Sequence, residues 1–275
     1  MVGATSEIKL VSNDTNLILF ERISEGVVQL SLNRPDQKNP LDWATVKALR
    51  SHVVSLEDDA TVQLVLIRGQ GGTFSAGGDL IGYMELYRNP DNFASFLDDF
   101  YQLFEAMERS SKTFVGIIEG YCVAGGLELL LACDIVIAAH SAKIGDGHLN
   151  FGQLPGAGGS QRLPRVIGPM RAHYLMATGA LVGAEEAERI GLVSRAVPDE
   201  QLTETIDGLV ADLCRKSPLG LKGLKYLLKE GLRGDLQTGL QLEIDYVLNY
   251  ATTAADASEG LVAFQEKRRP RFVGQ

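Results

Sequence analysis

Cysteine is scarce in this 275-residue sequence: Cys122, Cys133 and Cys214 are the three it has, at no spacing that suits a metal or redox site. Two of them sit in apolar runs, the setting of buried free thiols in a reducing compartment, which sets aside a disulfide-stapled fold. The four histidines fall into no ligand pattern either, so no metal is expected. Positive charge is in deficit, 26 Lys and Arg against 35 Asp and Glu, and the net charge of -9 argues against a nucleic-acid partner. Long apolar runs are missing: the most apolar stretch, residues 127–139, is broken by Glu128 and Asp134 and is too short and acidic to span a bilayer. The opening MVGATSEIKLVSNDT lacks a charged-then-apolar signal pattern, so a cytoplasmic protein or an organelle-matrix one is expected, with no membrane partner. No dinucleotide fingerprint with a following acidic residue appears, and no cofactor is called for.

What is present is an ordinary globular balance, 45% hydrophobic and 22% charged residues. Apolar β-rich runs begin at Leu17 and Val27, with turn chemistry at Ser24-Glu25-Gly26 between them. Residues 41–56 carry helical periodicity through Val46, Leu49, Val53 and Leu56. Residues 62–69, the run from Thr113 and residues 133–139 read as buried strands, with helical stretches between them. Strand, loop, helix and strand recur, which predicts an α/β fold of right-handed ββα or βαβ units. After Asp199 long amphipathic segments take over, one opened by Ser217-Pro218. The expected division is a core over residues 1–198 and a helical subdomain over 199–275, packed on the core or on a neighbouring subunit.

Three loops of small residues each lead into a predicted helix. They are Phe74-Ser75-Ala76-Gly77-Gly78-Asp79-Leu80, Ala124-Gly125-Gly126-Leu127-Glu128 and Pro155-Gly156-Ala157-Gly158-Gly159. Glycine lets backbone N–H groups approach a ligand, and a helix start adds unpaired donors. Two amides converging on one oxygen would make an oxyanion hole. Any one of these loops could equally be a glycine-capped turn.

Taken together, with Leu32-Asn33-Arg34-Pro35, Ala132-Cys133-Asp134, Gln161-Arg162-Leu163, Gly191-Leu192-Val193 and Phe264-Gln265-Glu266-Lys267-Arg268, the loops resemble the crotonase family, the enoyl-CoA hydratase/isomerase superfamily, along nearly the whole chain. The resemblance implies a crotonase-like spiral of repeated ββα units with a C-terminal helical subdomain. It implies an acyl-coenzyme A thioester as substrate, with no further cofactor, and a homotrimer or dimer of trimers. It places oxyanion-hole amides at Gly78 and Gly125, substrate contacts at Ala76, Asp79, Leu80 and Gly156, and an acid/base carboxylate at Glu128. Glu128 also stands in the first turn of an apolar helix, where burial would raise its pKa; a plain helix-capping carboxylate is the competing reading.

The chain departs from that pattern ahead of the third loop. Hydratases of the family carry a second glutamate in a stretch reading roughly F-G-x-P-E. Here Gly145-Asp146-Gly147-His148 stands in the equivalent stretch, and ungapped spacing puts His148 in that glutamate's place. Histidine moves protons near neutral pH, and Asp146 would orient it or act itself if an extended backbone points both side chains one way. His148 as a polar pocket residue in a chain that has lost the chemistry is the other reading. His52, His140 and His173 sit in helical or turn settings without a partner pattern. Glu119 has no account at this level, and Lys267 to Arg271 reads as a solvated basic tail. Residues Tyr83 to Arg88 are expected to wall the acyl pocket. The leading expectation is water addition to a 2-enoyl-CoA through an enolate. The alternatives are hydrolysis of a C–C bond in a β-diketone or ring ketone, or of a thioester, with His148 as base, and CoA-ester binding without turnover.

Overall fold

A computed structural model of the protein describes residues 17–275; the opening segment read above for targeting lies outside them. β1 (Ile18–Ser24) and β2 (Val27–Leu32) form an antiparallel hairpin, turned at Gly26 with φ +76. From β2 onward the main sheet is parallel. β3 (Leu64–Gly69), β4 (Thr113–Ile118), β6 (Ile135–Ala139) and β9 (Arg195–Val197) follow in the order β1-β2-β3-β4-β6-β9. All six residues of β4 are buried, as a central parallel strand covered on both faces requires. A second sheet holds β5 (Tyr121–Val123), β7 (Lys143–Gly145) and β8 (Val182–Gly183).

The two sheets are linked by a repeated path. β4 runs into β5 and then α4 (Gly125–Ala132); β6 runs into β7 and on towards α5 (Gly159–Ile167). The turn before them is abbreviated: after β3, Ser75 alone bridges Cys122, and the chain enters α2 (Leu80–Tyr87). Ser75, Cys122 and Ile144 therefore stand in one row. Three residues further along each turn come Gly78, Gly125 and Gly147. The spiral thus delivers all three glycines to one side of the small sheet, where the chemistry is found below.

α1 (Trp43–Glu57) is capped by Asp42, which accepts from Thr45 N at 2.9 Å, and α3 (Pro90–Arg109) by Asn89. α3 buries Phe96, Phe100, Leu103, Phe104 and Met107, a helical stripe facing α1 and α4. The opposite face of the main sheet is covered by Leu202 and Ile206 of α8 (Leu202–Cys214). α9 (Pro218–Gly231), α10 (Leu236–Thr253) and α11 (Ala255–Gln265) follow, beyond α6 (Pro169–Thr178) and α7 (Ala184–Arg189).

Two strand starts differ from the sequence reading. The strand expected from Val62 begins at Leu64, because Val62 N closes a turn onto Asp59 O at 3.1 Å. The strand expected from Cys133 begins at Ile135: Cys133 ends α4, and the Asp134 carboxylate accepts from Phe114 N at 2.9 Å. Cys122 and Cys133 are buried free thiols.

Candidate active site

The loop after β3 cannot hold its own shape, being built of Ser, Ala and Gly, and residues 34–41 hold it instead. Asn39, 1% exposed, donates to Gln70 O at 2.9 Å and Thr73 O at 2.7 Å and accepts from Arg34 N at 2.8 Å. Ser75 donates to Asn39 O, Ala76 N to Lys38 O, and Leu41 N to Gly77 O. Asp79 then caps α2 by accepting from Ile81 N at 3.0 Å. The Gly78 N–H finds no acceptor among the described residues.

On the next turn Ala124 has φ +52, a region that costs a residue with a Cβ roughly 1–2 kcal/mol or more. Its N–H is tied to Gly145 O at 3.1 Å, and Gly77, φ +101, passes so close that a Cβ there would come within 2.9 Å of the Ala124 Cβ. This forced turn opens α4 with the Gly125 N–H as its first donor, again without an acceptor among the described residues.

Glu128 lies one turn into α4 and is 3% exposed. It does not cap its own helix. Its Oε1 accepts from the N–H groups of Ala157 and Gly159, both at 2.8 Å, in the third glycine loop. Its Oε2 faces His148 Nε2 at 3.8 Å. Burial pushes the Glu128 carboxyl above its ordinary value, against the opposing pull of His148 and the two amides.

Behind His148, Nδ1 meets Asp146 Oδ2 at 3.0 Å, and His148 N donates to Asp146 Oδ1 at 3.2 Å. The expected extended backbone between them is absent. Gly147 adopts φ +68 and His148 opens a short 3-10 turn, so the Asp146 side chain bonds back to the backbone as aspartate does in tight turns. Asp146 is 1% exposed. Burial works to lower His148, but the Asp146 hydrogen bond and the Glu128 and Asp146 charges outweigh it and leave the imidazole above its ordinary value.

Two cavities meet here. An outer one of about 550 Å³ is lined by Ala76, Gly78, Asp79, Leu80, Ala124 and His148. An inner one of about 40 Å³ holds Gly125, Glu128, His148 and Gly156 against Phe93, Phe96, Leu97 and Phe100. Ala76, Gly78, Asp79, Leu80, Gly125, Glu128, His148 and Gly156 thus each line at least one of the two cavities, while Asp146 sits behind His148; of the wall expected from Tyr83 to Arg88, Tyr83 and Tyr87 line them. Tyr83 lines both cavities, its hydroxyl packed against Gly78; burial and the Glu128 charge push its phenol well up. Across the inner cavity Tyr87 hydrogen-bonds Gln153. No cluster able to hold a metal occurs among the described residues, and no helix among them is long and apolar enough to cross a membrane.

A family model described as enoyl-CoA hydratase/isomerase matches residues 22–275. The chain belongs to that family. It is 34% identical to the crotonyl-CoA hydratase of Syntrophomonas wolfei, over 94% of this chain and 98% of that one. It is 33% identical to the mitochondrial methylglutaconyl-CoA hydratase of Mus musculus, over 99% of this chain and 87% of the other. The crystal structure of enoyl-CoA hydratase from Bacillus anthracis superposes with a TM-score of 0.89 at 34% identity, covering 94% and 100% of the two chains. The fold is the crotonase fold, and the protein is an enzyme of the enoyl-CoA hydratase type.

Within this family member, sequence reading missed the loop-holding role of Asn39, the Tyr87–Gln153 bridge and the partners of Arg162. Asn39 carried one signal, its place in the turn-forming Lys38-Asn39-Pro40, where both Lys38 and Asn39 prove left-handed. Glu119 pairs with Arg68 at 2.6 Å, from the end of β3 to the end of β4. In the basic tail, Arg268 is bound to Glu259 and Glu266.

Proposed function

We propose that the enzyme adds water to a short 2-enoyl-CoA, with Glu128 and His148 dividing the proton transfers. The observation that carries this reading is the facing pair, Nε2 to Oε2 at 3.8 Å, with Asp146 behind the imidazole. The thioester carbonyl oxygen rests on the Gly78 and Gly125 amides, each worth about 3–4 kcal/mol to the developing oxyanion. Glu128 Oε2 takes a proton from water, whose oxygen bonds to C3. The alkene pair moves through C2 to the carbonyl oxygen, making the enolate. Return of that pair lets C2 take the proton of His148 Nε2, an imidazole whose charged form the Asp146 hydrogen bond and the Glu128 charge favour against burial. Glu128 ends protonated and His148 neutral, and a proton crossing the gap between them resets the pair.

The inner cavity suggests the size of the acyl group. About 40 Å³ of space is room for roughly three waters, between aromatic walls and the Tyr87–Gln153 bridge. A short tail suits it. Ala76, Asp79, Leu80 and Gly156 line the path the thioester and its pantetheine arm would take, and the substrate alone would serve, without a further cofactor. Residues 1–198 would carry this chemistry and 199–275 the association of subunits, for which the apolar outer face of α10 suits a trimer. Reduced thiols suit a cytoplasmic setting.

The test follows the ultraviolet absorbance of crotonyl-CoA. Loss of the conjugated thioester band with wild type, falling about 10²–10⁴-fold in Glu128→Gln and in His148→Ala, is the expected result. An Asp146–His148 pair also suits activation of water on a carbonyl carbon, so release of free CoA or a free acid in place of the 3-hydroxy ester would move the reading to hydrolysis. Wild type that binds crotonyl-CoA and leaves it unchanged would sink the hydration reading.

A further inference from the structure

Glu128 is held by a loop that has no stiffness of its own. Gly156, Gly158 and Gly159 leave the third loop free to swing, yet the N–H groups of Ala157 and Gly159 must both stay 2.8 Å from one carboxylate oxygen. The peptide between those two donors carries the Ala157 carbonyl, and Arg162 Nη1 donates to that oxygen at 3.1 Å. Arg162 folds back from the first turn of α5 to do so, into space that only a glycine leaves: a Cβ on Gly158, φ +100, would lie 2.0 Å from Nη1. Its other side is fixed from α3. Nε donates to Glu108 Oε1 at 2.7 Å, and the guanidinium lies over the Phe104 ring, 5.6 Å from its centre.

We infer that Arg162 and Glu108 are positioning residues for the catalytic carboxylate: they clamp the glycine loop so that its two amides keep Glu128 aimed at His148. The inference rests on the role given to Glu128 above. Neither residue reaches the inner cavity, so neither touches substrate. The pair is half-enclosed rather than solvated, with side chains 20% and 11% exposed. Glu108 is faced also by Lys229 of α9 and by Arg233 just beyond that helix, so this end of α9 holds the clamp from behind. The charged groups that face Glu128 itself are His148, Asp146 and, through its phenol, Tyr83.

A clamp and a simple structural strut make different kinetic predictions. Loosening the loop removes hydrogen bonds that favour the ionised carboxylate, so the acidic limb of the pH–rate profile moves to higher pH. Loss of aim lowers kcat by up to about 100-fold, as misplacement of a reacting group by about 1 Å does. KM for crotonyl-CoA should stay within about twofold, since no binding contact is lost. Arg162→Met is the direct variant. The double variant Arg162→Met with Glu108→Leu removes both charges and leaves no unpaired one, which keeps the protein foldable. Glu108→Gln retains an acceptor for Nε and should recover most of the rate.

Crotonyl-CoA hydration is followed against pH for these variants beside Glu128→Gln. A lower kcat with a raised acidic limb and unchanged KM, partly restored in Glu108→Gln, supports the clamp. Wild-type kcat and limb in the folded double variant, with only the melting temperature lowered, overturns it while Glu128→Gln still shows the catalytic reading sound. Full turnover in Glu128→Gln overturns both.

Discussion

Two helices of this enzyme have opposite relations to their surroundings. α4 is eight residues long and every one of them is buried, the acid included. α10 is eighteen residues long and none is buried, although Leu236, Ile244 and Leu248 are 78%, 60% and 65% exposed. Local pattern would rank the long amphipathic helix as the firmer element. The tertiary setting reverses that order. α4 has glycines where neighbours press closest and leucines where the core needs volume; α10 is anchored to the chain chiefly through α9, where the Tyr246 ring packs tilted against Tyr226, centres 5.3 Å apart. A row of exposed aliphatic side chains of that length is the face on which the proposed association of subunits would rest.

The comparison is sharpest when both helices lose a methyl cluster. Leu129→Ala in α4 should cost about 2–5 kcal/mol, read as a shift in the denaturant midpoint at unchanged slope. A loss under 1 kcal/mol would mean that the α4 site collapses around the deletion and is less tightly packed than its complete burial implies. Next in size is the effect of burial on titration. On the mechanism proposed above, hydration would need Glu128 ionised and His148 protonated. Glu128 lies above its ordinary value, so the rate falls as the pH drops through that raised value. His148 also lies above its ordinary value, so the rate falls again only as the pH climbs past it. A bell in kcat/KM whose alkaline limb disappears in His148→Gln is expected; an alkaline limb that persists there would assign it to another group. The smallest effect belongs to α10. Ile244→Ser with Leu248→Ser should change the stability of the isolated subunit by no more than about 0.5 kcal/mol per site. Light scattering should show smaller particles for that variant, and an unchanged mass would break the contrast drawn between the helices.

The same contrast explains what could be read from the chain alone. α4 and its glycine loops were legible because the signals are local: small residues, then a helix with one acid among leucines. So was the position of His148, since it follows from spacing along a single segment. How Asp146 reaches His148 was read on a wrong premise, because a glycine at positive φ bends a stretch that alternation would extend. Asn39, Glu119 and Arg162 were opaque for a different reason. Their partners lie 34, 51 and 54 positions away, at Thr73, Arg68 and Glu108, and nothing in a local pattern names a partner that only the folded spiral brings near.

Lys225 of α9 is 7% exposed, and its ammonium donates to Met107 O at 2.6 Å, Lys112 O at 2.8 Å and pairs with Asp134 Oδ2 at 2.8 Å. Greasy contacts between helices tolerate sliding, because one leucine serves nearly as well as the next. A three-pronged cation buried among three fixed oxygens does not: displaced by one residue, it would strand a charge where water cannot follow. The seating of α9, and with it the placement of everything the carboxy-terminal helices present to the outside, is therefore indexed like a key in a slot.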